Sequence, residues 1–566
     1  MQVKALPFAG LIVAAALAVV TAGCSSGSSS QPSGSTTAGG GSTSAGPSAP
    51  GSTGGADANS PRYGGTLVIG TNAAPTTFNT NYAFDGNALY MVPNIYSKLV
   101  VTDYAKGEVH GDLAEKWQKS DDGKTYTFTL RPDLKWQDGK PLTSDDVVWT
   151  YKSIMDAGKS AFTYQYIASV ESVTNPDPNT VVFALKTADA AFLASLSNYY
   201  APVVLPKHVY EGTDALTNPA NQKPVSSGPF QLSEAAPGDH YTMVPNPNYY
   251  GHKPYIDKLI FRVIPNRATA IQALRAGEIQ FSQIEAPPAE VPGLKSTEGL
   301  SVQSVKLQEK IWLGLNLRDP ILAKADVRKA MAMAINQKDI NARVYKDLGI
   351  TAVGPCLSYS EYCDPSLPMP KYDPAGANAL LDQAGYPKKG DGMRFSITLS
   401  AWNVSEYGIA EMAQVVKQEL SEVGIDLQVK MADFSLFSQQ VVKDHNFQIT
   451  TSGGLWGPDP SALEAFYSST GGRNVMGFND SEVDSLLAQA RTESDQSKRK
   501  ELYFAAEKRV TEALPIIPLI DYVGLYPVRT DTHGYWWEPA AAEAGIAEMM
   551  YNYVWMDSGT AQPASK

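Results

Sequence analysis

The chain has 566 residues, 18% of them charged, and a formal net charge of −12. This length is too great for one compact core and predicts two or three domains. The acidic balance argues against nucleic acid as a partner, because phosphate binding needs a basic surface. Beyond the N-terminus no apolar run approaches twenty residues, so we expect no transmembrane helix.

The N-terminus has the pattern of an export signal. Lys4 precedes an apolar run from Leu6 to Val20 and then small residues, which predicts a signal peptide over residues 1–23. Cys24 follows Ala-Gly and resembles the lipidated cysteine of a bacterial lipobox, although Thr21 stands where Leu or Val is usual. The alternative is an ordinary signal peptide with a coincidental cysteine.

Residues 24–60 are predicted to form a lipidated, disordered tether. After Cys24 the segment is almost entirely Ser, Gly, Thr, Ala and Pro, with Asp57 as its single charge. It has too little apolar surface to offset the entropy of ordering, and as a flexible coil it spans about 30–36 Å. We therefore expect an exported protein, held by lipid at the outer face of the bacterial cytoplasmic membrane.

The first ordered region reads as strands joined by tight turns. A strand is predicted over Gly65–Gly70, and alternation over Thr125–Leu130 predicts a strand with one apolar face. Asp-Gly pairs at 122–123 and 138–139 indicate turns on either side. Thr143 to Asp146 has the pattern of a capping box that opens a helix.

Later segments alternate between helix and strand. Residues Arg267–Ala276 predict a helix and Glu278–Phe281 a strand after it. Apolar residues recur at helical spacing over 327–335 and 409–420, and a short apolar strand is predicted over 516–520. The chain is therefore expected to be mixed α/β.

Cysteine and histidine usage gives little support for a metal site. Cys356 and Cys363 are predicted to form a local disulfide in an oxidising, exported setting, since their spacing lacks the paired clusters of a zinc site. The six histidines are separated and form no HExxH pair. We expect no bound metal and no cofactor.

Catalytic motifs find little support either. The sequence has no Gly-x-Ser-x-Gly elbow and no Walker loop. The carboxylate pairs Asp121-Asp122 and Asp145-Asp146 are explained by a turn and a helix start. We therefore expect a protein that is not an enzyme.

Several longer blocks resemble the family-five extracellular solute-binding proteins, the peptide- and nickel-binding subunits of ABC importers. The blocks occur in the family's order over about residues 62 to 530, and they are Gly64–Leu67, Ala114–Trp117, Asp121–Arg131, Trp136–Val147, Ser227–Phe230, Asn246–Tyr250, Asp326–Ala330 and Leu514–Leu519. Most of them are hairpins, caps and turns, so they specify the fold more than the ligand.

The resemblance implies an α/β, two-lobed periplasmic-binding-protein clamshell of type II, similar to cluster C. Its first lobe would span 61–307, with a hairpin-rich subdomain inserted at 96–205. The second lobe would span 308–512, and residues 513–566 would return to the first. Ligand would lie between the lobes, which rotate about the crossing strands.

The peptide binders of the family suggest where a ligand would lie. Many of them hold its α-ammonium with an aspartate three residues before an acidic-Pro dipeptide. Here the dipeptide is Asp459-Pro460, and Trp456 stands at the aspartate position. Trp456 is expected at the cleft wall, with packing inside the second lobe as the alternative. Asp459 fits a helix N-cap, or else a displaced partner for the ammonium.

Other candidate ligand-binding residues also follow from the resemblance. Trp402 and Asn403 end a strand that would face the cleft, and Gly457 adjoins Trp456. The loop after the first strand, with Asn72 and Ala74, is expected to offer backbone groups to the ligand, with a simple turn as the alternative. Arg473 is expected to meet a ligand carboxylate, with an exposed loop arginine as the alternative.

The expected function is a substrate-binding lipoprotein of an ABC importer, a monomer that captures oligopeptides and delivers them to the permease. An oligosaccharide ligand is an alternative, because relatives bind sugars with aromatic platforms and this chain has nine tryptophans. A surface receptor or chaperone-like protein without transport is another. Nickel is disfavoured by the scattered histidines.

Overall fold

A computed structural model describes residues 60–103, 107–403, 407–455 and 459–560. Cys24 and the predicted signal and tether, apart from Ser60, lie outside these residues. Within the described ranges, none of the helices combines the length and the apolar character needed to cross a membrane.

The strands of the described residues are β1 (Thr66–Thr71), β2 (Val100–Thr102), β3 (Val109–Gly111), β4 (Ala114–Lys119), β5 (Thr125–Leu130), β6 (Val170–Asp177), β7 (Thr180–Leu185), β8 (Phe230–Ala236), β9 (His240–Pro245), β10 (Lys258–Val263), β11 (Phe281–Ser282), β12 (Leu300–Leu315), β13 (Ile350–Thr351), β14 (Phe395–Trp402), β15 (Ile425–Ala432), β16 (Ile449–Leu455), β17 (Ile516–Arg529), β18 (Thr532–His533) and β19 (Trp555–Met556).

The α-helices are α1 (Gly86–Leu89), α2 (Val92–Ile95), α3 (Ser144–Ala157), α4 (Phe192–Ser197), α5 (Lys207–Tyr210), α6 (Arg267–Arg275), α7 (Val291–Lys295), α8 (Ala325–Ala334), α9 (Gln337–Val344), α10 (Pro374–Gln383), α11 (Ile409–Glu422), α12 (Phe434–Phe437), α13 (Ala462–Tyr467), α14 (Ser481–Thr492), α15 (Gln496–Ala513) and α16 (Pro539–Glu543). A π-helical turn over Ser438–Lys443 follows α12.

One mixed sheet runs through the whole body, in the order β15-β14-β16-β12-β17-β11-β1-β10-β9-β8, with β13 added beside β17. Parallel pairs join β14 to β15 and β1 to β10, whereas β12 and β17 pair antiparallel. Parallel pairing requires crossover connections, which the intervening helices supply. A separate antiparallel sheet, β4-β5-β7-β6, lies within residues 114–185.

The buried apolar residues divide into first-lobe and second-lobe cores. The first-lobe core includes Leu67, Phe128 and Trp536, so the inserted antiparallel sheet shares one core with the residues around it. Leu399 and Val416 belong to a second-lobe core. The burial of these side chains supplies the main free energy that holds each lobe together.

The long strands β12 and β17 contribute to both lobes. In β12, Val305 packs in the first-lobe core and Leu313 in a second-lobe core. In β17, Leu519 packs in the second lobe and Val528 in the first. These two strands are therefore the backbone connections on which the lobes meet.

Local sequence patterns predicted several elements correctly. In β5, Tyr126, Phe128 and Leu130 are buried, as the alternation predicted. At the start of α3, Thr143 and Asp146 form the predicted capping box. The strand predicted over Glu278–Phe281 was mostly wrong, because the backbone N–H of Glu278 instead closes the end of α6 on the carbonyl of Ala273.

Candidate functional site

A cavity of about 590 Å³ lies where the two lobes meet. Its wall takes Tyr90 and Tyr199 from the first lobe and Trp402 from the second, and Glu309 of β12 and Tyr526 of β17 complete it. Concave sites of this size, with a few polar groups among aromatic ones, are typical of small-molecule and peptide pockets. We call this space the interlobe cavity.

A second cavity of about 910 Å³ adjoins it. The two share Ala194 of the first lobe, Gln308 of β12 and Asp459 of the second lobe in their walls. The cleft therefore continues past the interlobe cavity, toward the disulfide loop at Cys356.

Four of the predicted ligand-binding residues lie in the wall of the interlobe cavity, and they are Asn72, Trp402, Asp459 and Arg473. Trp402 ends β14 and is half-buried, with its ring centroid 4.9 Å from that of Phe434. The exposed guanidinium of Arg473 lies 5.4 Å from the ring centroid of Phe466. The structure thus brings together predicted residues from both lobes.

Other predicted residues lie elsewhere or outside the described residues. Ala74 is absent from the described cavity walls and packs against the first-lobe core. Asn403 is exposed and not in the described cavity walls, and its backbone N–H donates to the carbonyl of Ala432 at 2.8 Å, which continues the pairing of β14 with β15. Trp456 and Gly457 fall outside the described residues, so their roles stay predictions.

Asp459 is held in an ion pair within the second lobe. Both of its carboxylate oxygens accept from the guanidinium of Arg499, at 2.8 and 2.6 Å, and Arg499 is nearly buried between Tyr362 and Tyr503. Bidentate pairs of this kind are among the strongest ionic contacts. The carboxylate is therefore already neutralised, which disfavours Asp459 as the partner of a ligand ammonium.

The predicted N-cap at Asp459 was wrong by two residues. The capping position of α13 is Ser461, and the Asp459 side chain accepts from the Ser461 N–H at 2.8 Å in the turn before the helix. The acidic-Pro dipeptide therefore shapes the entry to α13 without supplying its cap.

An ion-pair bridge, which the sequence analysis missed, joins the lobes beside the interlobe cavity. Arg491 of α14 donates to Glu464 of its own lobe at 2.7 Å and to Asp189 of the first lobe at 3.3 Å. The backbone carbonyl of Arg491 also accepts from the N–H of Ala190 at 2.7 Å. These contacts fix the position of the inserted sheet region against the second lobe.

Three glutamates in the cavity wall were also missed. Glu285 accepts a hydrogen bond from the hydroxyl of Tyr522, and Glu309 lies in the same wall as Tyr407. Burial, reinforced by the charge of Glu309 and opposed by that of Lys98, raises the pKa of Glu548 to about 7. A pKa near neutral marks a carboxylate that its surroundings disfavour as an anion.

The direction of the Glu309 side chain follows from an irregularity in β12. The pairing with β17 jumps between Lys306 and Lys310, so that residues 307–309 face a single residue, Tyr522. Extra residues of this kind bend a strand and redirect its side chains, often beside functional sites. In β12 the irregularity directs Leu307, Gln308 and Glu309 to the interlobe cavity.

The two groups of candidate metal ligands among the described residues do not line the interlobe cavity. Cys356 and Cys363 are joined by a disulfide, so neither sulfur offers a thiolate to a metal. Asp103 and His110 pair at 2.8 Å and could hold a cation together with Glu108. Among the described residues no histidine lines either cavity, so the walls offer no imidazole to a nickel ion.

Comparison with known proteins gives the relatives of this chain. It is 28% identical to the oligopeptide-binding protein AppA of Bacillus subtilis over 477 residues, which cover 81% of this chain and 86% of the relative. It is 27% identical to the dipeptide-binding protein of Escherichia coli over 508 residues, which cover 84% of this chain and 92% of that protein.

Solved structures agree with this relationship. The structure of Bacillus subtilis AppA in complex with a nonapeptide matches with a TM-score of 0.74 and 25% identity, over 88% of this chain and 99% of the other. An ABC transporter substrate-binding protein from Listeria monocytogenes matches with a TM-score of 0.78 and 24% identity, over 88% of this chain and all of the other. The predicted fold class is confirmed.

The family model of the bacterial extracellular solute-binding proteins, family 5, matches residues 108–474. This range is more than half of the chain, and it includes the inserted sheet, β12 and most of the second lobe. Together with the two-lobed fold and the cavity between the lobes, the match confirms the predicted resemblance: the chain belongs to the family-five bacterial extracellular solute-binding proteins.

Proposed function

We propose that this protein is the substrate-binding subunit of an ABC importer, which captures oligopeptides between its lobes and delivers them to the permease. The observation that carries the proposal is the interlobe cavity, whose wall comes from both lobes and from the strands that connect them. Relatives named as oligopeptide- and dipeptide-binding proteins support a peptide ligand. The protein binds and releases this ligand without chemical change.

The lobes are proposed to span residues 61–307 with 513–566, and 308–512. The division of the buried cores supports these limits, since β12 and β17 contribute to cores on both sides. Opening and closing would then be rotation about these strands, a hinge motion known for periplasmic binding proteins. We propose that the protein acts as a monomer.

The ligand class is tested by mass spectrometry of molecules released from the purified, intact protein by denaturation. We expect peptides of mixed sequence, because backbone hydrogen bonding accepts many side chains. Release of oligosaccharides instead would contradict the peptide proposal. It would favour the alternative suggested by Trp402 and the tyrosines of the cavity wall, since aromatic faces can stack on sugars.

Trp456 is proposed to contact the ligand. Trp456→Ala is expected to weaken binding of the co-purified ligand by at least about 1 kcal/mol, the range of aromatic contacts. Isothermal titration calorimetry measures the loss, and Trp456→Phe should restore part of it. Unchanged affinity together with a lowered melting temperature would assign Trp456 to the core of the second lobe.

The lipid anchor is proposed to be Cys24. Cys24→Ser is expected to move the protein from the membrane pellet to the soluble exported fraction, because a serine cannot carry the thioether-linked lipid that provides lasting attachment. Immunoblots of the two fractions measure the change, and Ser25→Ala is the matched control that should stay in the membrane. Continued membrane association of the Cys24→Ser protein would contradict the anchor.

A further inference from the structure

The interlobe cavity wall carries two buried side-chain oxygens, of Gln283 and Glu309, that have no hydrogen-bond partner among the residues that the structure describes. We call Gln283, Glu309 and Glu548 the acidic wall; all three line the interlobe cavity. The Oε2 atom of Glu309 is buried and has no hydrogen-bond partner among the described residues. Leaving such an oxygen unsatisfied costs free energy, and a ligand donor would recover it.

Gln283 is a second buried acceptor in the cavity wall that lacks a hydrogen-bond donor among the described residues. Its side chain is 5% exposed, and its Nε2 donates to the hydroxyl of Tyr551 at 3.2 Å. That hydroxyl donates its own proton to the sulfur of Met549, in agreement with its role as acceptor toward the Gln283 amide. The Oε1 atom of Gln283 is therefore an acceptor, buried at the cavity wall without a partner in the described chain.

Glu548 is held at the wall by a strained turn. The next residue, Met549, has φ of 62°, a left-handed conformation that is uncommon for a side chain of this size. Asn94 clamps the turn from both sides, donating to the Met549 carbonyl at 2.9 Å and accepting from the Tyr551 N–H at 3.0 Å. Strain that is held this firmly is typical of functional positions.

The cationic side chains near the acidic wall have other partners or compensate its negative charge only in part. Arg491 is paired with Glu464 and Asp189. The ammonium of Lys98 donates to two backbone carbonyls, and no ion pair links it to the acidic wall within the described ranges. Arg473 brings one positive charge to the same cavity. Of the two arginines that line the cavity, Arg491 is thus already compensated, whereas no ion pair within the described ranges involves Glu309 or Glu548.

Tyrosine rings line the same cavity as the acidic wall. The rings that line the interlobe cavity are those of Tyr90, Tyr166, Tyr199, Tyr200, Tyr407 and Tyr526. The faces of aromatic rings carry negative potential and attract cations, more strongly where water is excluded. Carboxylates, an amide oxygen and aromatic faces in one cavity all favour a positively charged ligand group.

We propose that the acidic wall binds a positively charged group of the ligand, either the α-ammonium of a peptide or the side chain of a lysine or arginine. The inference rests on the proposed function and names the class of peptide that is preferred. The charge partner is then supplied by β12 and the C-terminal segment, because the position of Trp456 offers none.

The protonation of the acidic wall agrees with this proposal. Burial raises the pKa of Glu309, and it raises the pKa of Glu548 to about 7. In the ligand-free cavity these carboxyls thus hold protons more tightly than exposed glutamates do. A bound cation favours their ionised form and takes over the charge compensation.

The test uses four pools of random-sequence pentapeptides, offered separately to the intact wild-type protein. One pool has a free α-ammonium and neutral side chains, the second is N-acetylated and neutral, the third is N-acetylated with one lysine, and the fourth has both charges. We expect the N-acetylated neutral pool to bind at least about tenfold more weakly than the cationic pools, the scale of a hydrogen bond to a charged group.

The pools separate the two sources of charge. Stronger binding of the free-amine pool than of the acetylated lysine pool assigns the site to the α-ammonium, and the reverse order assigns it to a side chain. Equal binding of neutral and cationic pools would overturn this inference and leave the proposed function standing. Binding of none of the pools would overturn both.

Variants locate the site within the cavity. Glu309→Gln and Glu548→Gln keep the side-chain shape, and each is expected to reduce binding of the cationic pools about tenfold without changing the neutral pool. Glu298→Gln removes an exposed carboxylate and serves as the matched control, with no expected change. Melting temperatures verify folding. An equal loss for neutral and cationic pools would contradict the charge-specific role.

Discussion

Lys310→Met is expected to lower the free energy of unfolding by about 3–5 kcal/mol, the cost of leaving one partner of a buried ion pair alone. The ammonium of Lys310 contacts the carboxylate of Asp521, and both side chains are 0% exposed. Among the described residues, the second oxygen of Asp521 accepts a hydrogen bond from a backbone N–H, that of Ser358 at 2.7 Å. Without Lys310 the buried charge of Asp521 would have no counter-ion.

Urea unfolding at pH 7, followed by circular dichroism, measures this loss. The double variant Lys310→Met, Asp521→Leu should recover much of it, because replacing both charges removes the desolvation cost as well. Arg343→Met is the control: it breaks an exposed pair with Asp339 and is expected to cost less than about 1 kcal/mol. A Lys310→Met protein as stable as this control would contradict the expectation.

The position of the pair connects stability to function. Lys310 and Asp521 face each other across β12 and β17, immediately after the irregularity that directs Glu309 to the cavity. Pairing resumes at Lys310 and shifts again between Ile311 and Trp312, so the ion pair fixes the short stretch of register between the two irregularities. A loosened register would be expected to move Glu309 before it unfolded either lobe.

Neither partner of this pair could be identified from the sequence. Short-range patterns predicted β1, β5 and the capping box of α3, because they depend on residues within a few positions of each other. Lys310 and Asp521 are 211 positions apart, and only the paired strands bring them together. A lysine in an apolar strand indicates that a buried partner exists, but it does not identify that partner.

The residues of the candidate site also divide into those that the sequence predicted and those that it did not. Trp402, Asn72 and Arg473 were predicted from the resemblance, and they do line the interlobe cavity. Glu309 and Glu548 were missed, because an irregular strand and a left-handed turn set their directions. Neither feature leaves a pattern in the sequence, since glycine, the usual mark of such a backbone, stands at neither position.

The buried ion pair lies close to a second buried group, Glu507 of α15, which should make stability depend on pH. The Glu507 side chain is 1% exposed, and its Oε2 accepts from the N–H of Asp364 at 3.0 Å. Burial raises the pKa of Glu507 from the ordinary value of 4.5 to about 8, and the charge of Lys310 only partly opposes this. The folded protein therefore holds this proton more tightly than the unfolded chain.

The sign of the effect follows from linkage. A raised pKa in the folded state contributes stability that is fully present below about pH 4.5 and is lost as the pH rises through 8. Glu507→Gln carries no charge to bury, so its advantage over the parent should grow by about 3–5 kcal/mol between pH 5 and pH 9. Urea unfolding at several pH values measures the difference.

Comparing the unfolding free energies of the parent and Glu507→Gln at each pH separates the contribution of Glu507 from that of the other buried carboxyls. Glu419 and Glu548 also have pKa values raised to about 7, and they titrate alike in parent and variant. Glu512→Gln removes an exposed carboxylate from the same helix and should not change the slope. If Glu507→Gln and the parent lose stability in parallel up to pH 9, Glu507 must already be ionised when folded. Lys310 would then be the cation shared by two buried carboxylates, and Lys310→Met should cost more than a single broken pair.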